Sequence, residues 1–148
     1  MITITRKFSA DIGHRVFGHE GKCAMLHGHT YSFLLTYTAG RQDSLGRIVD
    51  FSVIKEHVGA FLDTYWDHKV VLYEKDPLCE ILEDAGQKVF RLSTNPTAEN
   101  LATDLGQRFA GMQLAGGQEI NLVSVRCQET PNCYADYRAP FYSGRKTP

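Results

Sequence analysis

Two long runs alternate side-chain character with a period of two, and the direction each residue takes within them limits what the chain can build. In the first, Ile2, Ile4, Arg6, Phe8, Ala10 and Ile12 alternate with Thr3, Thr5, Lys7, Ser9 and Asp11, and His14 falls on the mostly apolar side. In the second, His27, His29, Tyr31, Phe33, Leu35 and Tyr37 alternate with Thr30, Ser32, Leu34, Thr36 and Thr38. A strand sends every second side chain to the same face, so each run predicts a β-strand with one large apolar face. If the two pair as an antiparallel hairpin, His14 comes beside His29 and three imidazoles face one point. Gly28 adds no side chain between two of them and permits close backbone approach or a bulge.

Three neutral imidazoles leave one tetrahedral position open on Zn²⁺, the pattern of a catalytic rather than a structural zinc. The plainer alternative is that these are surface or satisfied core histidines, the alternating pair flanking a turn. Cys23, in Cys-Ala-Met-Leu-His-Gly-His, leaves three options: a fourth ligand closing a Cys-His₃ site, an inert small apolar residue, or a base or nucleophile just outside the coordination sphere. His19, in the loop spanning 15–26, has nothing to fix its direction and is expected in solvent.

After a loop containing Gly40 and Gly46 and a short extended piece at 47–49, the period changes. Phe51, Ile54, Val58, Phe61, Leu62 and Tyr65 recur at three- and four-residue steps, predicting an amphipathic helix capped by Asp50 or Ser52. It ends near Asp67-His68, where the helix dipole alone would account for a terminal histidine. Residues 70–94 predict a short strand at Val70–Leu72, a short helix from Leu78 to Ala85 and another short strand at Val89–Leu92. Asn95-Pro96-Thr97-Ala98-Glu99-Asn100 carries a helix start, with an apolar stripe running to about Met112. Gly116-Gly117 interrupts the chain. Ile120–Gln128 predicts a third long strand ending in Glu129-Thr130, and after a Pro131-Asn132 turn Cys133–Arg138 predicts a fourth. The expected fold class is α+β: a four-stranded antiparallel sheet with two main helices on one face, in the order ββααββ. It occupies one domain over 1–142, with 143–148 as a disordered tail.

Sixteen basic against seventeen acidic residues in 148 leave no bulk charge to attract nucleic acid or an anionic membrane. No apolar run reaches the ~20 residues that span a bilayer, and the N-terminus lacks the basic-then-apolar order of a signal peptide, so the expected location is cytoplasmic. The four cysteines, at 23, 79, 127 and 133, are irregularly spaced and expected reduced.

Phe-Ser-Ala-x-x-x-His, Cys-x-x-x-His-Gly-His, Asp67-His68, Asn-Pro-Thr-x-Glu-Asn and Glu129-Thr130, in that order from Phe8 to about Tyr137, resemble the 6-pyruvoyl-tetrahydropterin synthase and 6-carboxy-tetrahydropterin synthase superfamily. The three residues between Cys23 and His27 resemble its queuosine-pathway, carboxy-tetrahydropterin branch, whereas the 70–94 connection is longer than in compact members of that branch. The resemblance implies the tunnelling fold, in which sheets of several subunits close into a barrel, and a homo-oligomer, trimer-based and hexameric, with sites between subunits. It implies Zn²⁺ on His14, His27 and His29, Cys23 as the thiolate base, and His68 as acid/base oriented by Asp67. Glu129 would anchor the amino-pyrimidinone edge of a pterin by two parallel hydrogen bonds, with Thr97 at the pocket. The implied substrate is 7,8-dihydroneopterin triphosphate, whose phosphates would find cations at Arg15 and Lys22, although solubilising surface charge explains those residues equally. The implied product is 6-carboxy-5,6,7,8-tetrahydropterin with release of acetaldehyde and triphosphate. Triphosphate elimination to 6-pyruvoyl-tetrahydropterin, or non-catalytic binding of a pterin or purine around a structural zinc, are the alternatives.

Overall fold

In the computed structural model, which describes residues 1–113 and 119–140, the two alternating runs form the middle of one sheet. β1 (Ile4–His14) pairs antiparallel with β2 (His27–Thr38) along its whole length, from Ile4 opposite Tyr37 to His14 opposite His27. The stretch at 47–49 forms no strand. There the Asp43 carboxylate accepts the amides of Leu45 and Arg47, each at 2.9 Å, closing a local turn.

The Asp50 carboxylate accepts the Ser52 N–H at 2.8 Å and so caps the next helical run. That run comprises α1 (Phe51–Ile54), a π-helical turn (Lys55–Gly59) and α2 (Ala60–Tyr65). The expected four-stranded antiparallel sheet then needs correction. β3 (Lys69–Tyr73) lies parallel to the end of β1, α3 (Leu78–Asp84) follows, and β4 (Val89–Leu92) lies parallel to β3. The apolar segments of 70–94 are thus the strands of a β-α-β unit. Short unalternated runs are the mark of parallel strands covered on both faces, but they do not name their partners.

Thr97 caps α4 (Ala98–Arg108) by accepting the Asn100 N–H at 3.3 Å. The helix stops four residues short of Met112, because 111–113 is β5 (Gly111–Gln113), paired antiparallel with β6 (Glu119–Thr130). Met112 is buried from a strand as it would have been from a helix, so its apolarity continued the stripe without specifying the element. β6 also pairs with β2, and β7 (Cys133–Arg138) with β6. Among the described residues the sheet therefore has seven strands, ordered β4-β3-β1-β2-β6-β5 with β7 beside β6, and mixes parallel with antiparallel pairs. Among the described residues the two main helices are the α1 to α2 run and α4, with the expected short helix at 78–85 present as α3.

Tyr31, Phe33, Leu35 and Tyr37 of β2 share one buried cluster with Ile54, Val58 and Leu62 of the first helical run and Leu101 and Leu105 of α4. Both main helices consequently cover the same sheet face, the face to which His27 and His29 also belong. α4 approaches β7 closely: a Cβ on Gly106 would stand 2.2 Å from the Tyr137 ring. The diglycine at 116–117, the boundary at 142 and the 143–148 tail lie outside the described residues.

Candidate active site

The hairpin register differs by two residues from the expected one: His14 stands opposite His27, and Ile12 opposite His29. The trio stays together, because diagonal neighbours on one face of a ladder are still within side-chain reach. Ring centroids are 4.5 Å apart for His14 and His27, 5.3 Å for His14 and His29, and 4.9 Å for His27 and His29. One ligand atom from each lies within 4.8 Å of the others. Gly28 allows the hairpin to close here, since a Cβ would meet the Ile12 carbonyl oxygen at 3.1 Å.

The rings are also oriented. His14 Nδ1 meets the Pro96 carbonyl at 2.8 Å and His27 Nδ1 meets the Met25 carbonyl at 2.7 Å. A carbonyl only accepts, so each Nδ1 carries the proton and each Nε2 keeps its lone pair for a metal. His14 is buried, and desolvation lowers its pKa; the nearby His27 and His29 add to that effect, while the Pro96 carbonyl and Glu129 oppose it. Its neutral form, the one that ligates, is favoured. Three imidazole nitrogens suit a transition ion better than Mg²⁺ or Ca²⁺, which prefer oxygen.

Beside His14 opens a cavity of about 270 Å³ whose walls include Cys23, Thr97, Glu99, Glu129 and Cys133. Cys23 is an exposed free thiol and stands outside the converging histidine group. Glu129 lines the same cavity next to the histidines. Its Oε1 accepts the Tyr31 hydroxyl at 2.9 Å and lies 3.5 Å from His14 Nε2 and 3.6 Å from His29 Nε2. Tyr31 is fully buried, and its hydroxyl is also 3.1 Å from His14 Nε2. Burial first, and the Glu129 carboxylate second, push its pKa well above the usual phenol value, so it stays a donor. Tyr31 is absent from the residues expected at the site, although its parity with His27 and His29 points there. The Pro96 and Met25 carbonyls carry no residue-type signal at all. Cys133 offers only its position at the β6–β7 turn.

Asp67 and His68 are placed elsewhere. His68 adopts φ 55°, a conformation uncommon outside glycine, and its N–H donates to the Asp11 carbonyl at 2.8 Å. Its Nδ1 meets Asp67 Oδ2 at 2.8 Å, while Asp67 Oδ1 accepts the Asp11 N–H at 2.7 Å. Partial burial tends to raise the Asp67 pKa, but the Asp11 amide and the His68 ring outweigh it and hold the carboxyl below its usual value. The Thr30 hydroxyl donates to Asp11 Oδ1 at 2.5 Å. Asp11 and Thr30 have the opposite parity to His14 and His29, so this group lies on the other sheet face, where Asp11, Thr30 and His68 line a separate cavity of about 400 Å³. Of the trio, His29 alone borders it. Within one chain, therefore, the dyad is not brought to Cys23.

Arg15 is engaged with Asp76: Nε donates to Oδ2 at 2.7 Å, and Nη2 donates to Oδ1. The Asp76 side chain is fully buried, so Arg15 serves as the counter-ion of a buried carboxylate rather than a free phosphate receptor. Lys22 is exposed on a single 3-10 turn, Lys22–Ala24, which also carries Cys23. All four cysteines are free thiols. No helix among the described residues is long and apolar enough to cross a membrane.

A mixed sheet covered on one face by two helices, with three converging histidines where its central hairpin opens, defines a class of α+β protein with a candidate metal-binding pocket. Comparison with known proteins narrows this. Residues 3–140 match the family model described as 6-pyruvoyl tetrahydropterin synthase. Proteins named 6-carboxy-5,6,7,8-tetrahydropterin synthase are 37% identical in Rickettsia felis and 38% identical in Rickettsia bellii, each comparison covering 92% of this chain and 99% of the relative. Among solved structures, an uncharacterised protein of Wolinella succinogenes superposes with a TM-score of 0.78 at 21% identity, covering 93% of this chain and 97% of that one. The Caenorhabditis elegans 6-pyruvoyl tetrahydropterin synthase gives 0.66 at 22% identity, covering 93% and 94%. The chain belongs to the 6-pyruvoyl tetrahydropterin synthase family. It is accordingly an enzyme, a lyase of the tetrahydropterin synthase type.

Proposed function

We propose that this chain is a zinc-dependent 6-carboxy-5,6,7,8-tetrahydropterin synthase. It would take 7,8-dihydroneopterin triphosphate and water to 6-carboxy-5,6,7,8-tetrahydropterin, acetaldehyde and triphosphate, a step toward 7-deazapurines such as queuosine. The observation that carries the reading is the convergence of three imidazoles, two of them oriented by backbone carbonyls, beside a cavity that also contains a free thiol and a carboxylate. The names of the 36–38% identical relatives favour the carboxy product.

His14, His27 and His29 would hold Zn²⁺ through Nε2. When bound, the ion supplies Lewis acidity to the substrate side chain and leaves room for an incoming oxygen. Glu129, oriented by the Tyr31 hydroxyl, would accept two N–H bonds from the pterin edge, with Thr97 lining the same pocket. Cys23 as thiolate would take the proton from the side-chain carbon next to the ring. His68, held by Asp67, would supply or accept the second proton.

Because the dyad of the same chain lies across the sheet from Cys23, the dyad serving each site would come from a neighbouring copy. This gives the proposed homo-oligomer, trimer-based and hexameric, a catalytic reason in addition to the structural one of covering exposed strand edges. The proposed location is cytoplasmic. Lys22 is retained as a candidate phosphate contact, and Arg15 is not.

The test is to incubate zinc-loaded protein with 7,8-dihydroneopterin triphosphate and identify products by mass spectrometry. Acetaldehyde with the carboxylated pterin is expected. A retained three-carbon side chain would assign the pyruvoyl reaction that the family's name describes, and absence of turnover by zinc-loaded protein would refute both.

A further inference from the structure

The stretch from Asn95 to Asn100 does more than begin a helix. Pro96 gives its carbonyl to His14 Nδ1 at 2.8 Å, and the peptide unit preceding Pro96 is clamped. The Asn95 carbonyl accepts from Asn100 Nδ2 at 2.8 Å and from the Thr97 N–H at 2.9 Å. The Asn95 side chain reaches the other way, to the loop carrying Cys23: its Oδ1 accepts the Phe17 N–H at 2.8 Å and its Nδ2 donates to the Phe17 carbonyl at 3.0 Å. This satisfies both backbone polar groups of one loop residue, as a neighbouring strand would. The adjacent Val16 N–H donates to the Cys23 carbonyl at 2.8 Å, drawing the far end of the loop back to its beginning. Helix capping accounts for Thr97, and helix initiation for Pro96. Neither accounts for the Asn95 side chain, which spends both of its polar atoms on Phe17.

We propose that Asn95 is a positioning residue that ties the metal-binding and thiol-bearing halves of the site into one unit. Its main chain holds the carbonyl that orients His14, and its side chain holds the loop that presents Cys23. The inference rests on the reading of His14 as a ligand and Cys23 as the base. A carboxamide is required: Asn95→Asp would keep the acceptor for the Phe17 N–H but set a negative oxygen against the Phe17 carbonyl.

The experiment measures, on the full chain, zinc affinity by competition with a chromophoric chelator and amide hydrogen exchange at Val16, with exchange at Phe33 in the core as the control. For Asn95→Asp the expected result is about tenfold weaker zinc binding, the low end for disturbing an outer partner of a ligand, because a side chain repelled by the Phe17 carbonyl shifts the residue that precedes and holds Pro96. Val16 exchange should rise about fivefold, as for one hydrogen bond lost from a local opening unit, with Phe33 unchanged. Asn100→Ala removes a clamp on the same peptide but leaves the Phe17 pairing; it should weaken zinc binding while Val16 exchanges as in the parent protein. Parent-like zinc affinity and Val16 exchange in Asn95→Asp would overturn the inference, as would equal acceleration at Val16 and Phe33, which signals general loosening. Parent-like zinc affinity in Asn100→Ala would overturn it even if Asn95→Asp fails to fold. A parent protein that binds no zinc would instead remove the reading of His14 as a ligand, and this inference with it.

Discussion

Tyr31→Phe removes one hydroxyl at the centre of the site, where it donates to Glu129 and also lies 3.1 Å from His14 Nε2. The ring would remain against Phe33, 5.8 Å away between centroids, so the substitution leaves the core filled and deletes only the hydroxyl. That hydroxyl donates to Glu129 Oε1 at 2.9 Å, the hydrogen bond that fixes the carboxylate among the described residues. A hydrogen bond to a charged acceptor is typically worth ~1.5–3 kcal/mol net. The Glu129 side chain is 28% exposed, so water recovers part of this and about 1–1.5 kcal/mol remains. If Glu129 anchors the pterin, that loss corresponds to roughly a five- to tenfold rise in KM with kcat within about twofold, the signature of uniform binding removed. Initial rates over a range of dihydroneopterin triphosphate concentrations would measure it, with zinc content determined on the same preparation. An unchanged KM would refute the assignment of Glu129 as an oriented anchor. Loss of zinc in proportion to activity would refute it differently, by showing that the hydroxyl supports the histidines.

Other consequences are equally open to measurement. Cys23→Ala should retain zinc and pterin binding while turnover falls by about 10²-fold or more, as removal of a general base requires; loss of zinc on this change would make the sulfur a ligand. Asp76→Asn should lower unfolding stability in urea by about 2–3 kcal/mol at pH 7, below the range for a fully buried pair because Arg15 is 23% exposed. The Arg15 guanidinium holds the Asp76 carboxyl below its usual pKa. Its stabilisation is therefore full above the ordinary carboxylate value of about 3.9 and is lost as pH falls through the lower folded value, so the variant should have a flatter acid limb. Gly106→Ala should cost about 1–3 kcal/mol despite better helix propensity, since the Tyr137 ring occupies the space of the new methyl group; parent-like thermal stability would show that the ring yields freely.

Much of the site was legible because side-chain direction in a strand is a local property. Period-two parity puts His14 on the apolar side of one run and His27 and His29 on that of another, whatever the strands pair with. Helix signals were equally local where a cap and a stripe coincided, as at Asp50 and Thr97. They failed at Met112, where burial is compatible with either element; at 70–94 the two short strands and the helix form where expected, but short apolar runs cannot state that they lie parallel beside β1. Arg15 was misleading for a related reason: its charge is visible in the sequence, but the buried Asp76 that consumes it lies 61 residues away.

The sequence by itself determined an α+β chain with three inward-facing histidines on two strands, a nearby cysteine and a carboxylate at the end of another strand. Only the tertiary structure decided that His14 pairs with His27, that Tyr31 aims Glu129, and that Asp67 and His68 lie across the sheet from Cys23. Parity follows from backbone geometry within a few residues. Which carbonyl meets an imidazole 82 positions distant, and which face receives the end of a helix, depend on how the whole core packs.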